Sequence, residues 1–449
     1  MTTTVDTTTP SFQIKVPEEQ IDDLRRRIQA TRWPAEELVP DRSQGVQRTM
    51  LLELARYWAG EHDWRRCEAR LNALPQFTTE IDGVEIHFIH VRSRHEDALP
   101  LIMTHGWPGS VVELLDTIGP LTDPTAHGGS TQDAFHLVLP SLPGYGFSAA
   151  PTELGWDSGR IARAWATLME RLGYPRYVAQ GGDVGAAVTD AMGRQAPDGL
   201  AGIHVTLLAG ALGIVGQLPA TTEEERLAHA ALATFTADGF GYFLEQSTRP
   251  QTIGYSLLDS PVGLAAWLLD HDTDSYSKIA RAFVDGRAVG NLTRENILDN
   301  ITLYWLTGTG ASAARWYWEF GRAVAAAGAA GAAPPPVGVR SAARRSPVRS
   351  GPPRAAGPRP STPASPTTTP STAAATSPPG RSQSSSPLSC ERRSAHCADA
   401  TCLERQAAKE GTPRAWRPAG VRAASTRLPT TPKVVAAIRP MPTRWWAAL

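Results

Sequence analysis

Residues 98 to 208 alternate short apolar runs with longer amphipathic stretches, and this alternation constrains the fold more than any other feature of the sequence. Strands that alternate with helices of this length form a mostly parallel sheet with right-handed crossovers. Such an α/β sheet presents its loops at the carboxyl ends of its strands, where active sites usually lie. The strands are predicted at residues 99–103, 135–139, 177–179 and 203–208, and the helices at 111–118, 158–172 and from 184 onward.

Helical patterns flank this core on both sides. Residues 15–75 predict three helices with apolar residues on one face, and Cys67 falls in one such stripe, which indicates a core position. An alternating pattern at 79–91 around Asp82-Gly83 predicts a hairpin. Residues 220–322 are again helical and rich in Trp and Tyr, as suits a cap over the sheet. The domains predicted are an N-terminal extension (10–95), the first half of the core (96–215), a helical cap (216–322) and a tail (323–449).

The tail has a composition unlike the rest of the chain. Runs of Ala, Gly and Pro give way to Arg, Pro, Ser and Thr, and no Asp or Glu occurs between Arg340 and Cys390. Such a segment buries too little apolar surface to offset its chain entropy, so disorder is expected. A solvated tail is one explanation. We favour the other, a shifted reading frame in a GC-rich gene, because the break falls inside an unfinished domain.

Charge and cysteine usage exclude several classes of protein. The 44 Lys and Arg balance 44 Asp and Glu, which gives no global argument for binding nucleic acid or an anionic membrane. The opening MTTTVDTTTP has neither a basic start nor an apolar run, and no stretch approaches the roughly 18 apolar residues of a membrane span. Cysteines other than Cys67 lie in the tail, so we do not expect a disulfide framework. We therefore expect a cytoplasmic location, where thiols stay reduced.

The central chemical signal is Gln180-Gly-Gly-Asp183-Val184-Gly185, between a predicted strand and a predicted helix. It has the small-x-nucleophile-x-small pattern of a nucleophile elbow, in which glycines permit a sharp turn and close backbone approach. The central residue is Asp rather than Ser. Since an Asp at such a turn is also a common helix N-cap, the hexapeptide alone leaves both interpretations open.

A second signal, HGWPGS at 105–110, follows the first buried strand and precedes a helix. In α/β-hydrolases the loop after that strand donates one backbone N–H to the oxyanion hole, and the residue after the nucleophile donates the other. Trp107 and Val184 would supply these amides. A plain Gly/Pro turn is the alternative. The segment 140–148 on the intervening loop is interpreted as structural, shaping the wall of the cleft.

These segments resemble the corresponding parts of microsomal-type epoxide hydrolases. So do LNALPQFTTEIDGVEIHFIHVRS, STRPQTIGYSLLDSPVGLAAWLLD and NITLYWLTGTGASAARWYWE, and the resemblance spans about residues 10 to 320. It implies an α/β-hydrolase fold with Asp183 as the nucleophile that forms an alkyl-enzyme ester. It also implies that Tyr242 and Tyr317 protonate the departing alkoxide. It implies a substrate pocket at His105, Gly106 and Pro108, which would take a small apolar epoxide and water. The resemblance implies no metal or cofactor, and it implies a homodimer.

The sequence departs from the family in the last third. Hydrolysis of the ester needs a water molecule activated by a His, which an acid orients. The resemblance implies that this acid follows a late strand near 337–345 and that the His follows the final strand. Residues 336–339 resemble the start of that late strand, but nothing from Arg340 onward matches. The single later histidine, His396, lies in an unrelated setting, while His204, His229 and His271 are interpreted as structural or exposed. Hydrolysis of the ester is therefore expected to be impaired.

Two other functions remain open on the sequence. A haloalkane dehalogenase also uses an Asp nucleophile on this scaffold, but it needs halide-binding donors rather than a tyrosine pair, and related enzymes usually carry Asn where Trp107 stands. A non-catalytic binding protein of the same fold would retain a ligand without covalent labelling of Asp183. Covalent labelling therefore distinguishes the second alternative from an enzyme.

Overall fold

The computed structural model describes residues 9–207, 219–271, 273–329 and 337–343. Its strands form one sheet in the order β1-β2-β4-β3-β5-β6-β7. The strands are β1 (Gln76–Ile81), β2 (Val84–Val91), β3 (Leu99–Thr104), β4 (Phe135–Pro140), β5 (Tyr177–Gly181), β6 (Leu200–Val205) and β7 (Arg340–Ala343).

The helices of the described residues form three groups along the chain. The extension holds α1 (Glu18–Gln29), α2 (Arg48–Gly60) and α3 (Trp64–Asn72). The core holds α4 (Leu115–Thr122), α5 (Ser158–Arg171) and α6 (Val184–Gln195), with 3-10 turns at Val111–Leu114, Pro124–His127 and Thr131–Asp133. The cap holds α7 (Glu223–Asp238), α8 (Gly241–Thr248), α9 (Pro250–Asp259), α10 (Pro261–Leu269), α11 (Thr273–Val284), α12 (Arg294–Thr307) and α13 (Gly310–Ala329).

The predicted parallel sheet is confirmed, with the hairpin β1–β2 added antiparallel at one edge. Strands β3 and β5 lie side by side, with Met103 opposite Gln180 and Thr104 opposite Gly181. Both strands therefore end at the same edge. The loop that begins at His105 and the turn that holds Asp183 leave the sheet as neighbours.

Some predicted boundaries move. The hairpin begins at Gln76 rather than at residue 79, because its first residues pair with the end of β2. The strand predicted at 203–208 runs from Leu200 to Val205, and residue 208 lies outside the described residues. The helix predicted at 111–118 is a 3-10 turn followed by α4.

The described residues continue beyond residue 323, where the tail was predicted to begin. Helix α13 continues to Ala329, and a short strand follows at Arg340–Ala343, within the range 337–345 where the resemblance implied a late strand. This strand pairs in parallel with β6, and the Gly338 N–H donates to the Gly193 carbonyl at 2.8 Å. The four residues RSAA carry no apolar period, so the pairing is a tertiary feature. The rest of the tail, including His396 and its cysteines, lies outside the described residues.

The extension packs against the cap through buried polar contacts. The Trp58 Nε1–H donates to Thr302 Oγ1 at 2.8 Å, and His62 Nε2 lies 2.8 Å from Asp299 Oδ1. Cys67 is buried in the core, as its apolar stripe predicts. Among the described helices, none combines the length and apolar character that a membrane crossing requires.

Candidate active site

Asp183 occupies a sharp turn between β5 and α6. Its φ of 50° and ψ of −120° place it in a region that residues other than glycine rarely adopt. Neighbouring glycines allow the turn, because a Cβ at Gly185 would lie 2.0 Å from the Thr104 carbonyl oxygen and one at Gly181 would lie 2.1 Å from the Gly185 carbonyl oxygen. This is the geometry of a nucleophile elbow. The carboxylate of Asp183 accepts from nearby amides instead of capping helix α6.

Gly185→Ala should destabilise the fold strongly. Its Cβ would overlap a backbone oxygen of β3 that cannot move without disrupting the sheet, so we expect a loss of about 3 kcal/mol or more in the free energy of unfolding. Chemical denaturation followed by circular dichroism measures this loss. Gly60→Ala at the end of α2 is the control, because its Cβ would lie more than 4 Å from the described atoms. Equal stability of the two variants would contradict the close approach at Gly185.

Two backbone amides hold the Asp183 carboxylate. The Trp107 N–H donates to Asp183 Oδ1 at 2.9 Å, and the Val184 N–H donates to the same carboxylate. These are the two residues predicted to form an oxyanion hole. Gly106 lies directly against Asp183, since a Cβ at Gly106 would lie 2.5 Å from the Asp183 Cβ.

His105 lies buried beneath this loop. Its Nδ1–H donates to the Gly106 carbonyl at 3.0 Å, and its Nε2 accepts from the Leu142 N–H at 3.1 Å. Burial lowers the pKa of His105 to about 4, so the ring is neutral at pH 7 and joins two backbone segments. The structure thus gives His105 a supporting position. A substrate-contacting role for His105, Gly106 and Pro108 stays a prediction.

Residues of the cap fix the outer half of the HGWPGS loop. Asn300 Nδ2 donates to the Pro108 carbonyl at 2.7 Å, and Tyr304 Oη donates to the Gly109 carbonyl at 2.7 Å. Both side chains come from α12, and sequence reasoning missed them. The apolar pattern of that helix does not indicate which of its polar groups meet a loop almost 200 positions earlier. The segment 140–148 contributes Tyr145, whose Oη donates to the Ala313 carbonyl at 3.0 Å.

Both predicted tyrosines are buried beside Trp107 of the HGWPGS loop. Tyr242 comes from α8 and Tyr317 from α13, and their ring centroids are 5.8 Å apart. The Trp107 ring stacks on Tyr242 at 5.0 Å and meets Tyr317 edge-on at 5.9 Å. Tyr317 is only 3% exposed, and its Oη finds no hydrogen-bond partner in the described part of the chain. A buried phenol without a protein partner requires an explanation, and a ligand atom or a water molecule that accepts from it would supply one.

Burial in the site raises the pKa values of both Asp183 and Tyr317. Burial raises the pKa of Asp183 above its ordinary value, while His271 and the amides of Trp107 and Val184 lower it in part. Burial, with the Asp183 charge nearby, raises the pKa of Tyr317 well above 10. Tyr317 therefore stays a neutral phenol at pH 7 and retains a proton to donate.

The histidines of the core and cap have different surroundings. His204 lies in β6, as predicted, and His229 lies on α7. His271 was expected to be structural or exposed, and in the structure its ring stacks on Tyr242 at 4.6 Å. The sequence could not predict this contact, because a histidine in a polar segment between helices belongs to no apolar repeat. Among the residues that the structure describes, no group of three or more His, Cys, Asp and Glu is arranged to hold a metal ion.

Comparison with known proteins connects this site to one family. Residues 9–114 match the family model "Epoxide hydrolase N terminus". A protein named "Putative epoxide hydrolase" from Stigmatella aurantiaca is 53% identical over 312 residues, which cover 69% of this chain and 68% of that protein. Epoxide hydrolase 1 of Oryctolagus cuniculus is 35% identical, covering 69% of this chain and 72% of that protein.

A solved structure agrees with these relatives. The juvenile hormone epoxide hydrolase of the silkworm Bombyx mori superimposes with a TM-score of 0.61 at 31% identity, over 70% of this chain and 77% of that chain. The chain therefore belongs to the epoxide hydrolase family of the α/β-hydrolase superfamily.

Proposed function

We propose that this chain opens epoxides by nucleophilic attack of Asp183 and that its turnover beyond the covalent ester is impaired. The observation that carries the proposal is the pairing of two groups. A carboxylate is held at a strained turn by two amides, and a buried phenol, Tyr317, has no hydrogen-bond partner in the described part of the chain. The two groups match the two demands of epoxide opening, a nucleophile for carbon and a proton donor for oxygen.

In the first step the free carboxylate oxygen of Asp183 attacks a ring carbon of the epoxide. The carbon–oxygen bond of the ring breaks, and Tyr242 or Tyr317 gives its phenolic proton to the departing oxygen. The other carboxylate oxygen, Oδ1, remains bonded to the Trp107 N–H and becomes the ester carbonyl. The amides therefore orient the attacking oxygen and stay in place for the next step.

In the second step water attacks the ester carbonyl carbon of Asp183. Negative charge then develops on Oδ1, which accepts from the Trp107 N–H, while the Val184 N–H donates to the same carboxyl group. The two amides would stabilise this charge as an oxyanion hole. This step needs a base to activate the water, and the resemblance places that base in the part of the sequence that departs from the family. Loss of a general base costs about 10²–10⁴ in rate, so the ester should accumulate.

Incubation with styrene oxide tests this proposal. We expect intact-protein mass spectrometry to show one added epoxide per chain, and chromatography to show little diol formed after the first equivalent. An alkyl chloride of similar size should add nothing, because the phenols donate protons to oxygen and do not assist chloride departure. Sustained diol production would contradict the impaired second step. Binding of styrene oxide without any mass increase would indicate a non-catalytic binding protein.

The rate of labelling should fall toward acid pH. Only the ionised carboxylate attacks the epoxide, and burial raises the pKa of Asp183 above the ordinary 3.8. The decline should therefore begin at a higher pH than an exposed aspartate would give. Labelling rates measured from pH 4 to pH 8 by quenched-flow mass spectrometry check this expectation. A rate that stays constant down to pH 4 would contradict the buried setting of Asp183.

A further inference from the structure

His271 follows α10 and forms a cluster of aromatic rings with Tyr242 and Trp107. Its ring centroid lies 4.6 Å from Tyr242 at an interplanar angle of 27° and 6.3 Å from Trp107 at 37°. Trp107 and Tyr242 lie 5.0 Å apart at 19°. Tyr242 thus stacks on both rings, and the imidazole and the indole are tilted by 37° to each other. Tyr242 can change its orientation only by disturbing both neighbours.

The residue before His271 is held by a residue of the N-terminal extension. Asp270, the residue before His271, forms an ion pair with Arg42 of the extension, with Nη2 and Oδ1 2.6 Å apart. The guanidinium of Arg42 in turn lies 4.9 Å from the centre of the Tyr276 ring. Phe235 of α7 packs against the imidazole at 6.2 Å. The position of His271 is therefore set by the junction of extension and cap.

The titratable and charged groups around the imidazole come from several elements. These are Tyr242 against its ring, Tyr317 in contact with Tyr242, Asp183 held by the Trp107 amide, and Asp270 with its partner Arg42. Of these groups, Tyr242 is the one whose ring stacks on the imidazole, so an effect of His271 on the site passes through Tyr242.

We propose that His271 is a positioning residue for epoxide opening, which holds the Tyr242 phenol against Trp107 while Tyr242 gives up its proton. The proposal rests on the proposed function. Asp183 forms the bond to carbon, the ring carbon–oxygen bond breaks, and the Tyr242 proton passes to the alkoxide. The negative charge then resides on the Tyr242 oxygen until water returns a proton. His271 changes neither bond and acts through Tyr242.

Two substitutions test this role. His271→Ala removes the ring, and we expect it to slow alkylation of Asp183 by styrene oxide roughly tenfold. His271→Phe keeps a ring against Tyr242, so it should recover most of that rate. His229→Phe on α7 is the control and should leave the rate unchanged.

The Tyr242→Phe background decides whether His271 acts through Tyr242. Without the phenol, His271→Ala should slow alkylation by less than about twofold, and thermal unfolding of the four chains in this cycle should show non-additive losses. Wild-type rates in His271→Ala would overturn the proposal, as would an undiminished effect in Tyr242→Phe. If the wild type takes up no label, the proposed function fails. The unfolding cycle then judges the contact alone, and additive losses would overturn it.

Discussion

Asp183→Ala should take up no epoxide label. The substitution removes the only atom that the mechanism places in a new bond to carbon, and loss of a nucleophile in an enzyme of this kind lowers the rate by more than about 10⁴-fold. The Trp107 and Val184 amides lose their acceptor, but the Cβ stays, so the turn keeps the same backbone angles as in the wild type. The folded chain should persist. Intact-protein mass spectrometry after incubation with styrene oxide measures the effect.

Asp190→Ala is the matched control for this variant. Asp190 lies on the same helix, α6, and forms an ion pair with Arg194 within that helix, with Nε and Oδ2 2.7 Å apart. Its loss should leave labelling at the wild-type rate. Equal labelling of the Asp183→Ala chain would show that another nucleophile reacts with the epoxide, and the assignment of Asp183 would then be withdrawn.

The double variant Tyr242→Phe/Tyr317→Phe should lose almost all capacity for alkylation. Without either phenol the epoxide oxygen must leave as an alkoxide in a buried site, and loss of general-acid assistance costs about 10²–10⁴ in rate. We expect about 10²-fold for either single variant, because the remaining phenol still donates, and about 10⁴-fold for the pair. Single-turnover rates with styrene oxide, measured by mass spectrometry, give these factors.

Tyr255→Phe is the control for the tyrosine pair. Tyr255 lies on cap helix α9 and is 71% exposed, so its hydroxyl can be removed without leaving a buried partner. If the double variant alkylates as fast as Tyr255→Phe, the phenols are packing residues and oxygen departs without them. An effect confined to Tyr317→Phe would instead assign proton donation to the buried phenol whose Oη finds no partner in the described residues.

The parts of the site that could be predicted from the sequence depend on local geometry. Glycines around Asp183 signal a tight turn because a side chain at those positions would meet backbone, and the structure shows that collision at Gly181 and Gly185. Trp107 follows from its place after the first buried strand. Since β3 and β5 are adjacent in a parallel sheet, the two turns had to meet.

The remaining parts depend on tertiary contacts that no local pattern encodes. His271 gains its place from the ion pair between Asp270 and Arg42, which lie 228 positions apart. Asn300 reaches the Pro108 carbonyl only because the cap folds back over the sheet. The strand β7 exists through pairing with β6 rather than through its own four side chains.

The most direct test of the account is to locate the label. After one equivalent of styrene oxide has reacted, proteolysis and tandem mass spectrometry should find the added mass on the peptide that contains QGGDVG, with the fragment ions placing it on Asp183. The adduct should be released by mild base, as an ester is. A label on a cysteine, a histidine or any carboxylate other than Asp183 would contradict the assignment of the nucleophile.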